Sequence, residues 1–530
     1  MSGTRACVRV PVLTAEEAAA KIPSGAIVAI TGAGGGITEP TTLIEALANR
    51  FKNTKKPDNL TLLHTTGLGN RADRGMSPLA IKGMNKRVIG GHWGQSPRLA
   101  DLAEANEIEA YCIPQGVICQ LLRAAAAGQP GILTHVGLGT YIDPRMAGGK
   151  LNERTKEDLV TIMEIGGKEW LFYPVIKPTV AFLRGTTADT NGYISMEEEI
   201  AYLDGMAMAQ ATHNAGGQVF VQVKRLVKAG TLHPRSIKIP GFLVDGLIIC
   251  PEQTQLYDTP INRFFSGDYV AEIEETATLP LDERKVIARR ALMQVSPGDI
   301  GNIGVGISDG IASVAEEEGV SEDFVLTVET GPVGGITAKG IFFGASVNTK
   351  AVVDMPSQFD FYGGGGLDIC FLSFAEVDAE GNVNVSRFNN KIQGVGGFTD
   401  ISSSSKKLVF NGTLTAGGLK TKVEEGKIKI IQEGRFKKFV PKVEEISFSA
   451  KEAIKRGLQV HYITERAVFR LTAFGLELVE IAPGMSPERD IFPNMAFRPS
   501  VSPNLQEMDS RFFTEIPMGI KEEWRVARKT

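Results

Sequence analysis

The sequence has few cysteines and histidines, no excess of basic charge and no long apolar run, and each shortage excludes a class of protein. The five cysteines, Cys7, Cys112, Cys119, Cys250 and Cys370, are odd in number, scattered and without a CxxC pair. That pattern supports neither a disulfide framework nor a zinc site, and it fits a reducing compartment. The six histidines, His64, His92, His135, His213, His233 and His461, show no HxxxH or HxH spacing, so hydrogen-bonded structural roles are expected of them and no metal. Lys and Arg number 57 against 61 Asp and Glu, a net charge of −4, whereas a nucleic-acid-binding chain would carry a basic surplus. No run of 18 apolar residues occurs, and the first residues lack an apolar stretch behind basic ones. Neither a membrane span nor an export signal is expected. The expectation is a soluble cytoplasmic protein with no nucleic-acid and no membrane partner.

What the sequence does have is length, apolar content and glycine. At 530 residues, 43% of them apolar, the chain exceeds one ordinary core and predicts two large domains or several small ones. Glycine contributes 59 residues, well above the usual share of roughly 7%, which points to places where backbone turns sharply or approaches a ligand. Thr14 followed by Glu17 predicts a capped helix over 15–22, and a strand at 26–30 runs into the glycine turn 32–36. Short apolar runs recur at 60–63, 179–183, 219–223, 242–249, 324–328, 351–353 and 407–410, with helical stretches between several of them. This is the pattern of an α/β fold with mostly parallel sheets covered by helices.

The second half echoes the first. Phe182-Leu183, Asp189 and Gly192 recur in order as Phe371-Leu372, Asp378 and Gly381, and the strand 219–223 falls on 408–412. Further upstream, Thr65-Thr66-Gly67 lines up with Glu329-Thr330-Gly331, and the glycine turn 32–36 with 302–306. The kept order favours duplication. The expected architecture is two tandem, related open α/β domains, 1–275 and 285–530, joined near 274–284 ahead of a helix at 282–295. Prolines at 487, 493, 499, 503 and 517 predict an irregular tail after about residue 484.

The stretch 298–319 reads as strand, glycine loop and helix, with Ile307, Ile311, Val314 and Ala315 on one helical face and Gly319 as a stop. A glycine-bearing turn before a helix exposes backbone N–H groups. Asn302, Ile303, Gly304, Val305 and Gly306 are therefore candidates for holding an anionic group or a developing oxyanion, the alternative being a plain strand-to-helix turn. The apolar strand 324–328 then delivers Glu329 at its carboxyl end, where ligands bind in open parallel sheets. A carboxylate there could cap a turn, accept hydrogen bonds from a ribose, or react. A dinucleotide site would show GxGxxG and an acid ending the next strand, about 20 residues on. The glycines here run Gly301-Asn-Ile-Gly304-Val-Gly306, and the first-half turn is followed by a strand ending in His64-Thr65, so both halves depart from that fingerprint. A third glycine cluster, 363–366, can serve only a turn or a close backbone approach. Phe359, Phe361 and Tyr362 before it read as a core strand, 378–381 as a hairpin turn, and Ser402 to Ser405 with Lys406-Lys407 as a solvated turn, while Gly396 and Gly397 offer a second backbone donor.

Taken together, the motifs resemble the class I coenzyme A transferases, most closely the single-chain acetate or propionate CoA-transferases. The agreement runs nearly end to end: LTAEEAA and SGAIVAI near the start, GGHW at 90–93, PQG at 114–116, GLGTYIDPR at 137–145, VKAGTL at 227–232, VETGPVGG at 328–335, FDFYGGGGLD at 359–368, GNVNVSRF at 381–388, GVGGFTDIS at 394–402, TLTAGGLK at 413–420 and YITERAVF at 462–469. Two departures stand out, Gly363 where relatives carry aspartate, and Asn389-Asn390 where they read Gly-Pro; both bear on acyl specificity rather than on the reaction. The resemblance implies that Glu329 is the nucleophile and forms a glutamyl-CoA thioester in a ping-pong exchange. It implies that the amides of Val305 and of Gly396 or Gly397 stabilise the oxyanion, and that Gln115 reaches the acyl pocket, whose dry wall Phe359, Phe361 and Tyr362 could form. It further implies acyl-CoA and short-chain carboxylates as substrates, no prosthetic group, and a homotetramer. An acyl-CoA hydrolase using the same glutamate and a non-catalytic nucleotide or acyl-CoA binder are the alternatives.

Overall fold

The computed structural model describes residues 9–272 and 279–527. The expected join at 274–284 falls partly on 273–278, outside the described residues. The first helix, α1 (Ala15–Ala20), starts with the capping box that the sequence predicts: Glu17 N–H donates to Thr14 Oγ1 at 3.1 Å and Thr14 N–H to Glu17 Oε2 at 2.8 Å.

Two large sheets organise the chain. The first contains β1 (Ile27–Ile30), β2 (Leu60–His64), β3 (Asn85–Gly90), β4 (Glu109–Cys112), β5 (Val180–Asp189), β6 (Gln218–Val227) and β7 (Gly246–Ile249), all paired parallel in the order β7-β6-β5-β1-β2-β3-β4. Its inner strand β5 is buried along its whole length, as a parallel strand covered on both faces must be. The second contains β8 (Ile300–Ile303), β9 (Val325–Thr327), β10 (Ile369–Ser373), β11 (Lys407–Asn411) and β12 (Gln459–Ile463), parallel in the order β9-β8-β10-β11-β12. It continues antiparallel through β13 (Ala467–Thr472) and β14 (Gly475–Ile481).

The echo in the sequence is an echo in topology. Reading β7-β6-β5-β1-β2 beside β12-β11-β10-β8-β9 gives the same strand order, with the glycine turns after β1 and β8, and Thr65-Thr66 and Glu329-Thr330 after β2 and β9. Within the order, Phe182 on β5 and Phe371 on β10 occupy matching strands.

Three expectations are corrected. The tail after 484 is more regular than its prolines suggest: Ser500–Glu507 forms β15, parallel to β14 at the sheet edge, a position where Pro503 deprives no inner neighbour of a ladder donor. Glu318 then accepts from the amides of Met518, Gly519 and Ile520 at 2.6, 2.9 and 3.2 Å, fastening the tail. The aromatic run at 359–362 is helical, not a strand. It lies in Met355–Gly363, where Asp354 accepts from Ser357 N–H at 2.7 Å as N-cap and Met355, Phe359 and Tyr362 share the buried face at i, i+4 and i+7. Ser402 to Ser404 likewise close the helix Phe398–Ser404. No helix among the described residues is long and apolar enough to cross a membrane.

Candidate active site

The ends of β2 and β9 face each other across a cleft between the two sheets. The first half contributes Ala33, Gly34, Thr66, Arg71, His92 and Gln115, and the second Val305, Glu329, Thr330, Ile341, Phe343 and Gly396, around a cavity of about 150 Å3. Backbone hydrogen bonds stitch the seam: Trp93 N–H to Gln393 O at 2.8 Å, Gly396 N–H to Gly91 O at 2.8 Å, and Gln115 N–H to Gly396 O at 3.0 Å. The GGHW and PQG segments of one half are thereby tied to the GVGG segment of the other.

Glu329 occupies this cleft just beyond β9. Burial pushes its carboxyl up to about 7, opposed by hydrogen bonding from the Gln115 side chain. A methyl group added at Gly397 would sit 2.6 Å from Glu329 Oε2 and 3.0 Å from Phe359 Cζ, so only glycine lets that backbone come up to the carboxylate. Among the described residues the amides of Val305 and Gly397 have no acceptor, whereas Gly396 N–H is taken by Gly91 O. The donor from this segment is therefore Gly397, with Gly396 shaping the cavity wall at a φ of 55°.

Of the other candidates in the glycine loop, only Val305 lines the cavity, its side chain partly exposed. Asn302 and Ile303 belong to β8 and are buried there. Asn302 Nδ2 donates to Thr327 O at 3.1 Å and to the Tyr362 hydroxyl at 3.2 Å. Gly304 N–H is used by Phe371 O at 2.8 Å, and the Gly306 carbonyl accepts from Arg284. None of these four lines the cavity; Asn302 and Ile303 are held in the strand ladder and Gly304 is tied to Phe371. The helix behind the loop, Gly310–Glu317, starts only after a 3-10 turn at Ile307–Asp309. Phe359, Phe361 and Tyr362 do not line this cavity: Phe359 packs behind Gly116 and Gly397, Phe361 is exposed, and Tyr362 donates to Thr327 Oγ1 at 2.8 Å. The apolar lining comes instead from Val305, Ile341 and Phe343. The two departures from the family pattern also lie away from it. Gly363 ends its helix, and Asn389 and Asn390 make a hairpin turn at φ of 49° and 59°, a conformation asparagine tolerates.

Three residues of the site went unrecognised in the sequence. Asp400, two residues into the helix after Gly397, is buried and accepts from Gly116 N–H at 3.0 Å, so a carboxyl of the second half caps the helix Gln115–Ala126 of the first. Burial, reinforced by the Glu329 charge and opposed by the Gly116 bond, pushes it up to about 8. His92 is held down at about 4 by burial, with nearby Arg71 and His64 adding to the effect, so it is a neutral imidazole near pH 7. Arg71 brings a cation to the cavity. The GGHW and GVGGFTD motifs carried the signal for the first two; Arg71 belongs to no motif.

A coenzyme A transferase family model matches residues 12–249. The acetate CoA-transferase YdiF of Escherichia coli is 58% identical over 512 residues, covering 96% of each chain. The chain belongs to the coenzyme A transferase family. The caffeate CoA-transferase of Acetobacterium woodii is 42% identical, covering 95% of this chain and 97% of its own. The crystal structure of the Escherichia coli YdiF apoenzyme superimposes with a TM-score of 0.93 over 96% of this chain and 97% of that one, and a structure of YdiF as a thioester complex with CoA gives 0.92. This CoA-transferase is an enzyme with the class I fold, and it moves coenzyme A between an acyl-CoA and a carboxylate. Coenzyme A is its substrate.

Proposed function

We propose that Glu329 is the nucleophile of a ping-pong exchange in which a short-chain acid of the acetate type is exchanged for another. A carboxylate oxygen of Glu329 attacks the acyl-CoA carbonyl; the carbon–sulfur bond breaks and CoA thiolate leaves an acyl-glutamyl anhydride. The thiolate attacks the glutamyl carbonyl, the anhydride carbon–oxygen bond breaks, and the first acid departs from a glutamyl-CoA thioester. The incoming carboxylate runs the two steps in reverse and Glu329 is regenerated. Each attack makes a tetrahedral oxyanion, for which the Val305 and Gly397 amides are the donors in this reading; one such donor is worth about 3 kcal/mol in other enzymes. Gln115 orients the carboxylate, and closure of the cleft around CoA excludes the water that would hydrolyse both intermediates.

The observation that carries the reading is the Glu329 carboxyl, held against the glycine-only backbone at Gly397 in a cavity shared by both halves. The acid is taken as short-chain from the acetate named for the 58% relative. The same reading takes 1–275 and 285–530 as two domains, supported by the repeated strand order, with the enzyme working in the cytoplasm as a homotetramer, as the family resemblance suggests. Initial rates with varied acetyl-CoA and propionate should give parallel double-reciprocal lines. Glu329→Ala should abolish exchange, and retention of more than a few per cent would reject the assignment. CoA release that does not depend on an added acid would make the protein a hydrolase instead.

A further inference from the structure

We propose that Arg71 docks the carboxylate of the acid substrate at the mouth of the cleft, an inference that rests on the reading of Glu329 as nucleophile. The acid substrate has an electrostatic difficulty. It must bring a negative charge out of water into a cleft where, with Glu329 held as the thioester, nothing else among the described residues balances that charge. A cation in the same cavity offsets that desolvation, and Arg71 is the one Lys or Arg among the cavity's lining residues. His92, the other basic side chain there, is neutral near pH 7.

Arg71 is available for this role. Among the described residues its guanidinium has no hydrogen-bond or ion-pair partner. Its charged neighbours are engaged: Arg74 lies 5.2 Å over the Tyr257 ring, and Asp73 accepts from the Asn70 amide at 3.1 Å. The loop that presents it is built rather than loose. Asn70 Oδ1 accepts from the amides of Ala72, Asp73 and Arg74 at 3.0, 3.0 and 3.1 Å, and Arg71 N–H donates to Gln95 O at 2.9 Å. Arg71 itself adopts a left-handed φ of 64°, a conformation arginine takes only where its surroundings enforce it. The phosphates of coenzyme A are the other anionic groups an arginine could take. They are separated from the sulfur by the full pantetheine arm, whereas the acid carries its charge at the reacting carbon, which has to come up to Glu329. A planar guanidinium matches a carboxylate in two parallel hydrogen bonds.

The test is a comparison of half-reactions in Arg71→Gln and Arg71→Lys. Arg71→Gln should raise KM for acetate about tenfold with propionyl-CoA as donor, leave the acetyl-CoA KM and kcat within about twofold at saturating propionate, and still form the CoA adduct on Glu329. Arg71→Lys, which keeps the charge and loses the fork, should fall between it and wild type. A higher acetyl-CoA KM with an unchanged acetate KM would assign Arg71 to a CoA phosphate and overturn the proposal, as would unchanged KM values for both substrates or loss of the adduct in the variant. Absence of the adduct in the wild-type enzyme would instead overturn the reading of Glu329.

Discussion

Glu329 and Gly397 carry the account at the scale of single residues. As the proposed nucleophile Glu329 has to be ionised to attack, and burial keeps its proton until about pH 7. The charged form is thus lost as pH falls through that value. The acyl-CoA kcat/KM, which reports the free enzyme, should fall roughly tenfold per unit on the acid side; an acid limb at the ordinary 4.5 of a glutamate would contradict the buried placement. Gly397→Ala places its methyl 2.6 Å from Glu329 Oε2. Its φ of −84° suits alanine, so the damage is steric and local. Turnover should drop by about 10² or more while the melting temperature changes little, a contrast that steady-state rates and a thermal melt on the same sample would reveal. The place of Glu329 was legible in the sequence as an acid just beyond an apolar strand, whereas its role as nucleophile came from the family resemblance alone. Asn302 and Ile303 were misassigned because a glycine loop shows where donors are free but not where the strand before it ends.

At the scale of elements, the helix Gln115–Ala126 and the helix Phe398–Ser404 meet nose to nose, and Asp400 joins them. In the folded protein Asp400 holds its proton to about pH 8, against an ordinary 3.8. A pKa raised on folding contributes stability that is full below the ordinary value and is lost as pH rises through the folded one. Asp400→Asn keeps an oxygen for the Gly116 amide and removes the titration. Its urea midpoint should therefore decline less than that of wild type between about pH 6 and about pH 9; equal declines would place the cost elsewhere. The strands around this junction were readable as short apolar runs between helices, and α1 by its capping box. The helix Met355–Gly363 was not: four glycines after Phe359 and Tyr362 suggested a strand entering a turn, and the decisive Asp354 cap lies outside the motif. The edge strand Ser500–Glu507 was hidden by its prolines, which an edge tolerates and an inner strand would not.

At the scale of the whole molecule, the same five-strand order occurs twice, and the copies have divided the work. After β2 stand Thr65-Thr66, and after β9 stand Glu329-Thr330. One half thus supplies Gln115 and the cation Arg71, and the other the apolar lining, the free amides and the carboxyl proposed to react. Colinear identities made the repeat visible in the sequence, but the seam was out of reach. It depends on backbone hydrogen bonds between residues some 300 positions apart in the chain, such as that of Trp93 with Gln393, which leave no periodic trace. The central claim is a covalent one, and mass spectrometry tests it most directly. Protein mixed with acetyl-CoA and no acceptor acid should gain the mass of coenzyme A less one water, on the peptide containing Glu329, and lose it when acetate is added. Steady turnover with that peptide unmodified, or an adduct mapped to another residue, would contradict the account.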